Sequence, residues 1–200
     1  MSLKSVLSVV AVILVMAFMA GCAKPPQADL DAAKAALEAA KAVGADRYVA
    51  DVYNAAQDSL NAANTEIEAQ NSKFALGRNY KKAQALLAAA SRLANEAKDK
   101  TAARKEEVKA EALKLIEDVK IALKDAGKLI KKAPRGKEGR AAIDAMQAEL
   151  KAVQTSVAEA PALIESGDFL TARDKAQAGL NKVNSIIEEL KQAIAKKAGR

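Results

Sequence analysis

Three kinds of side chain in this sequence could do chemistry, and spacing decides what each can do. Cys22 is the single cysteine among 200 residues. It follows Phe18-Met19-Ala20-Gly21 at the end of an apolar run, and with no second cysteine its thiol has no disulfide partner within the chain. Carboxylates occur as adjacent pairs: Glu106-Glu107, Glu117-Asp118 and Glu188-Glu189. Neighbours on a helix diverge by about 100°, so such a pair cannot share a proton or a metal ion. They read as surface solubility. Arg135-Gly136-Lys137-Glu138-Gly139 carries glycines and cations but lacks the strand and spacing of a phosphate loop. It reads as a turn between helices. Histidine is absent, which removes a histidine general base, a haem axial histidine and histidine-bound zinc. The expectation is a non-enzyme with no catalytic residue, no metal site, no cofactor and no assignable ligand-binding residue.

The region before Cys22 reads as an export signal. Lys4 supplies the positive charge, and Ser5 to Ala20 is apolar over about 16 residues, too short for a comfortable membrane span. With the small residues Ala20 and Gly21 before the cysteine, the segment resembles the lipobox of bacterial lipoproteins. That resemblance implies cleavage between Gly21 and Cys22 and a covalent lipid on the Cys22 thiol. The competing readings are an ordinary signal peptide with an incidental cysteine and an uncleaved anchor. Each buried methylene contributes roughly 0.8 kcal/mol, so the two or three chains of a lipoprotein would hold the protein on the membrane permanently. The expected organisation is a signal peptide at 1–21, a tether at 22–27, and helical regions at 28–100 and 101–200. Pro25 and Pro26 keep the tether from starting a helix early.

The rest of the chain must be helical. Nearly a quarter of it is alanine, with four prolines, nine glycines, no tryptophan and 3% aromatic residues. This is the composition of long helices packed closely through small side chains. The net charge of +7 is spread, with lysines alternating with acids along helical faces. No basic stripe interleaves with aromatics, so a nucleic-acid partner is not expected. A weak attraction to anionic lipid heads or acidic wall polymer fits the sign of the charge.

Periodicity divides the helices. Leu30, Ala33, Leu37 and Ala40 recur at three-four spacing and stop at Gly44; Val52, Ala56, Leu60, Ala63 and Ile67 follow. Residues 71–79 form a break. A long pattern runs from Tyr80 to Lys132, ended by Pro134, Gly136 and Gly139. Its polar waist, residues 98–107, separates a seam of Leu86, Leu87, Ala90, Leu93, Ala94 and Ala97 from one of Val108, Ala112, Leu115, Val119, Leu123, Ala126 and Ile130. Ile143, Met146, Leu150, Val153, Val157 and Ala160 form a fourth helix. Phe169, Ala172, Ala176, Leu180, Val183, Ile187, Leu190 and Ile194 form the last. Pro161 either kinks the fourth helix or starts a new turn. The fold expected is all-α: elongated antiparallel helical bundles, with two three-helix bundles sharing one long central helix set against a flexible hinge at the waist.

Two turns echo each other. Gly77-Arg78-Asn79-Tyr80 and Gly167-Asp168-Phe169 each place a glycine, an Asn or Asp cap and an aromatic, with Ala83 and Ala172 three residues on. Each glycine is expected to be left-handed, each cap to satisfy free amides, and each alanine to let the partner helix come close. A duplicated hairpin and convergent turn chemistry both account for the likeness. Tyr48 and Tyr53 read as plugs at a bundle end, against a groove for a partner.

Residues Ala32-Ala33-Lys34-Ala35-Ala36-Leu37, Ala45-Asp46-Arg47-Tyr48 and Val52-Tyr53-Asn54-Ala55-Ala56, with the helix from Tyr80 to Ala97, resemble the bacterial envelope family known as domain of unknown function 4398. The resemblance covers 28–98 and implies an exported or lipidated helical protein, and it carries no activity. The expected role is structural or scaffolding. The alternative is a helical-hairpin module binding a peptide, an apolar ligand or cell-wall polymer. The expected partners are membrane lipid through Cys22, and an envelope protein or peptidoglycan. Ala23 follows the cysteine where aspartate is the usual inner-membrane retention signal, so the expected place is the cell envelope, at the outer membrane facing the periplasm.

Overall fold

The computed structural model describes residues 24–134 and 136–198, and every regular element among them is a helix. Gly21 and Cys22 lie outside the described residues, as does Arg135. The chain divides into two compact units, one ending at Ala102 and one beginning at Ala103.

In the first unit, α1 (Gln27–Ala42) starts directly after Pro26, whose carbonyl accepts from the Leu30 amide at 3.0 Å. It stops because Gly44 adopts φ +87°, a left-handed conformation that costs other residues a Cβ clash. The four-residue α2 (Ala45–Tyr48) turns the chain into α3 (Ala50–Asn71). The connection is short, so α1 and α3 run antiparallel and pack together. The third wall is the beginning of α4 (Lys81–Lys132). Their shared core is alanine-rich: Ala33, Ala40, Ala56, Ala63, Ala90, Ala94 and Ala97 are fully buried around Leu37, Tyr53, Leu60 and Leu87. Alanine pays no side-chain entropy and lets helices approach, so propensity and close packing replace large apolar area. Tyr53 belongs to this core, and Tyr48 is buried too, so neither ring lines an open groove.

Residues 98–107 are helical within α4. The inward stripe passes through Thr101, only 1% exposed, while Ala102 and Ala103 face solvent. Spacing explains this: Thr101 continues the Ala94, Ala97 series. Its hydroxyl donates to the Ala97 carbonyl at 2.7 Å, so its burial leaves no polar group unpaired.

In the second unit the remainder of α4 packs with α5 (Lys137–Ala158), α6 (Ala160–Glu165) and α7 (Phe169–Ala198). This core carries more branched side chains: Ile116, Val119, Ile130, Ile143, Leu150, Val153, Val157, Val183, Ile186 and Leu190. The inward track of α7 runs through Ile186 and Leu190, with Leu180 and Ile187 only half-buried at its edge. Pro161 opens the separate helix α6, in the first turn where its missing amide costs nothing. The α6 end is a Schellman motif. Gly167, at φ +82°, donates to the Ile164 carbonyl at 3.2 Å and Asp168 to the Leu163 carbonyl at 2.9 Å.

Two glycines were placed differently by the sequence pattern. Gly139 does not end a helix; it sits in the first turn of α5, where an added Cβ would lie 2.6 Å from the Pro134 carbonyl oxygen. Only a hydrogen at that position lets the chain double back. Gly77 is not left-handed; only Gly44 and Gly167 are, among the described residues. The two turns therefore share their buried alanines, Ala83 and Ala172, but not their backbone geometry.

Candidate functional site

The most elaborately built surface feature is the turn joining α3 to α4. Residues 72–80 form no regular structure except a short 3-10 turn, Ala75–Gly77. They are nevertheless pinned at every side. Arg78 reaches back over the α3 terminus, its Nε donating to the Lys73 carbonyl at 3.0 Å and its Nη2 to the Asn71 carbonyl at 2.9 Å. This satisfies carbonyls that the helix end leaves open. Gln70, 6% exposed, accepts from the Asn79 amide at 3.0 Å and donates to Glu66 at 2.7 Å. Tyr80, 3% exposed, donates its hydroxyl to Asn71 Oδ1 at 2.5 Å. Asn79 Oδ1 accepts from the Lys81 amide at 3.0 Å and caps α4.

These polar contacts hold an apolar tip outward. Phe74 is 80% exposed and Leu76 is 63% exposed. The acid-free stretch 72–82 surrounds them with Lys73, Arg78, Lys81 and Lys82. Lys82 pairs with Glu66 at 2.9 Å. The hydrogen bond from Gln70, then that from Lys82, hold the Glu66 carboxyl below its ordinary range.

The second unit carries several shallow grooves. One, of about 640 Å³, lies between α4 and α7; Ile121, Leu129, Leu180 and Ile187 line it beside Lys128 and Glu188. Ile121 is 54% exposed. Another, of about 490 Å³, lies between α4 and the end of α5, against Leu123, Val157 and Pro161.

One member of each carboxylate pair is engaged by a cation on its own helix. Glu107 takes Arg104 at 3.0 Å, Glu117 takes Lys120 at 3.3 Å, and Glu188 takes Lys191 at 2.7 Å. Arg104 also bonds Glu111 at 3.0 Å, and these two carboxylates raise its pKa. Arg173 on α7 approaches the same Glu111 at 3.8 Å, and Lys109 lies 5.7 Å over the Phe169 ring. Such exposed pairs set orientation and contribute at most about 1 kcal/mol each. Among the described residues no three His, Cys, Asp or Glu side chains gather as a metal site, and no helix is long and apolar enough to cross a membrane. Periodicity passed over Phe74 and Leu76, because Phe74 has no apolar residue three or four positions away and Leu76 has only Tyr80. The available signal was an aromatic and a leucine inside an acid-free, cation-rich break. No family model, curated protein or solved structure matches this chain.

Proposed function

We propose that this chain is a lipid-anchored, non-enzymatic helical protein of the bacterial envelope with a structural or scaffolding role. The observation that carries the reading is the apolar run ending in Ala20-Gly21-Cys22. A cysteine with no partner in an exported chain is otherwise an unexplained reactive thiol. Two features support a role in contact: one acid of each adjacent pair is engaged by a neighbouring cation, and the cores are closed by alanine and branched aliphatics. Membership of the family known as domain of unknown function 4398, and placement at the outer membrane facing the periplasm, belong to the same proposal. Globomycin, which blocks the lipoprotein signal peptidase, is expected to accumulate a larger precursor. Normal processing in its presence, or a Cys22→Ser protein that still fractionates with membranes, refutes the anchor.

The groove between α4 and α7 favours a second reading, a binding module for a peptide, an apolar ligand or wall polymer. Crosslinking in live cells from the exposed Ile121 separates the two. A single recurrent partner at that position supports the module, and its absence supports the scaffold.

A further inference from the structure

We propose that the turn carrying Phe74 and Leu76 is a second membrane contact, which docks on the anionic phospholipid surface of the bilayer that holds the lipidated Cys22. The inference rests on the lipid anchor proposed above, and three further observations carry it.

The first is position. The tether ends at Gln27, the start of α1. The first unit's core joins Leu30 and Ala33 of α1 to Ala63 and Ile67 of α3 and to the early turns of α4. In this antiparallel arrangement the start of α1, the end of α3 and the start of α4 share one end of the unit. At 1.5 Å per residue, α1 (16 residues) spans about 24 Å and α3 (22 residues) about 33 Å. The α3 terminus, and the turn beyond it, therefore reach up to about 9 Å past Gln27. The five residues from Cys22 to Pro26 extend at most about 17 Å. Pro26 is buried, so the tether leaves from the body of the unit itself. An acylated Cys22 thus holds this end of the first unit within reach of the bilayer.

The second is composition. Phe74 and Leu76 are apolar, lie two residues apart in one short turn, and are largely exposed. Interfacial segments bury such side chains about 5–10 Å into the boundary between headgroups and acyl chains, with cations on their flanks. Lys73, Arg78 and Lys81 provide those cations, Lys82 being held by Glu66, with no acid in the sequence between residues 72 and 82. Basic residues near an anionic surface strengthen binding severalfold each.

The third is construction. The hydrogen bonds of Arg78, Gln70, Asn79 and Tyr80 fix the turn in the conformation that points its apolar pair outward. The same bonds close the two helix ends that the turn joins. Pre-ordering lowers the entropy lost on docking. With both the acyl chains and the turn engaged, the first unit is held by two points at one end, which fixes its attitude on the membrane.

The chain contains no tryptophan, so one reporter is unambiguous. The test uses the full chain, processed in cells, with Phe74→Trp, purified and placed in vesicles of phosphatidylcholine with phosphatidylglycerol. Ala42→Trp, exposed at the other end of α1, is the control. Mass spectrometry reads the lipid on Cys22, and circular dichroism confirms the helical fold. The Phe74→Trp indole is expected to shift to shorter wavelength and to be quenched by phospholipids brominated on their acyl chains, while the Ala42→Trp indole does neither. Adding Lys73→Gln and Lys81→Gln lowers the docked-to-undocked ratio about thirtyfold, at about fivefold per charge. Pure phosphatidylcholine vesicles give weaker quenching than the anionic ones. An acylated protein whose Phe74→Trp indole is as unquenched as the control overturns the docking proposal alone. A shift that appears only when envelope proteins are added, with no quenching by lipid, overturns it in favour of a protein partner. An unmodified Cys22 overturns the anchor and the docking together.

Discussion

Two helical glycines in the second unit should respond oppositely to the same substitution. Gly179 lies within α7, where a Cβ would stand 2.9 Å from Val157 Cγ2 and 3.1 Å from Val153 Cγ1. Ordinary carbon contacts lie at about 3.5–4.0 Å, so α7 or both valines must move by roughly half an ångström or more. The valines are stiff, because a β-branched side chain on a helix keeps essentially one χ1 well. Gly179→Ala therefore gains about 1 kcal/mol of helix propensity and loses about 1–3 kcal/mol to overpacking, a net destabilisation of about 0–2 kcal/mol. Gly127 on α4 has nothing within 4 Å of the same added atom. Gly127→Ala keeps the propensity gain alone and stabilises by about 1 kcal/mol. Guanidinium denaturation followed by circular dichroism measures both, and hydrogen exchange in α5 and α7 localises the effect. Combining Gly179→Ala with Val157→Ala makes the room, so the double variant loses less than the two single losses added together. A Gly179→Ala protein stabilised as much as Gly127→Ala, or strict additivity with Val157→Ala, refutes the close-approach argument.

Acid should weaken the fold in a defined window. Glu66 is held below its ordinary 4.5 by Gln70 and Lys82, Glu96 by Lys100 and then Arg92, and Asp125 below its ordinary 3.8 by Lys128. The unfolded chain binds these protons first as pH falls, so the stabilisation is complete above the ordinary values and is lost as pH drops through the lowered ones. The denaturation midpoint is expected to decline below about pH 4.5, and Lys82→Gln to make part of that decline disappear. A midpoint unchanged down to pH 3.8 contradicts the assignment for both glutamates. Tyr80→Phe removes the hydroxyl that bonds Asn71 and is expected to cost about 1 kcal/mol, with faster hydrogen exchange in residues 72–82. Unchanged exchange there would mean that the bond does not order the turn.

The legible parts of this protein were those written in short-range pattern. Alanine content and the three-four recurrence of Leu30, Ala33 and Leu37, or of Leu150, Val153 and Val157, specify helices and their inward faces, because propensity and amphipathicity act within a few turns. Gly44 and Gly167 could be read as stops because the left-handed backbone is a local requirement. Gly139 and Gly179 could not, since the atoms that exclude a side chain there belong to Pro134, Val153 and Val157. Distances of that kind exist only after packing.

The candidate surface divides the same way. By itself, the sequence determined an all-α chain and set Cys22 apart as its single cysteine at the end of an apolar run, because residue type and neighbours within the chain suffice for both. Tertiary structure alone decided that Thr101 is buried where Ala102 and Ala103 are not, and that Ile186 rather than Ile187 faces the core. It also decided that Phe74 and Leu76 emerge from a polar-stapled turn at the end of the first unit from which the tether departs. Exposure and adjacency of ends follow from how α1, α3 and α4 stack, and no local spacing encodes them.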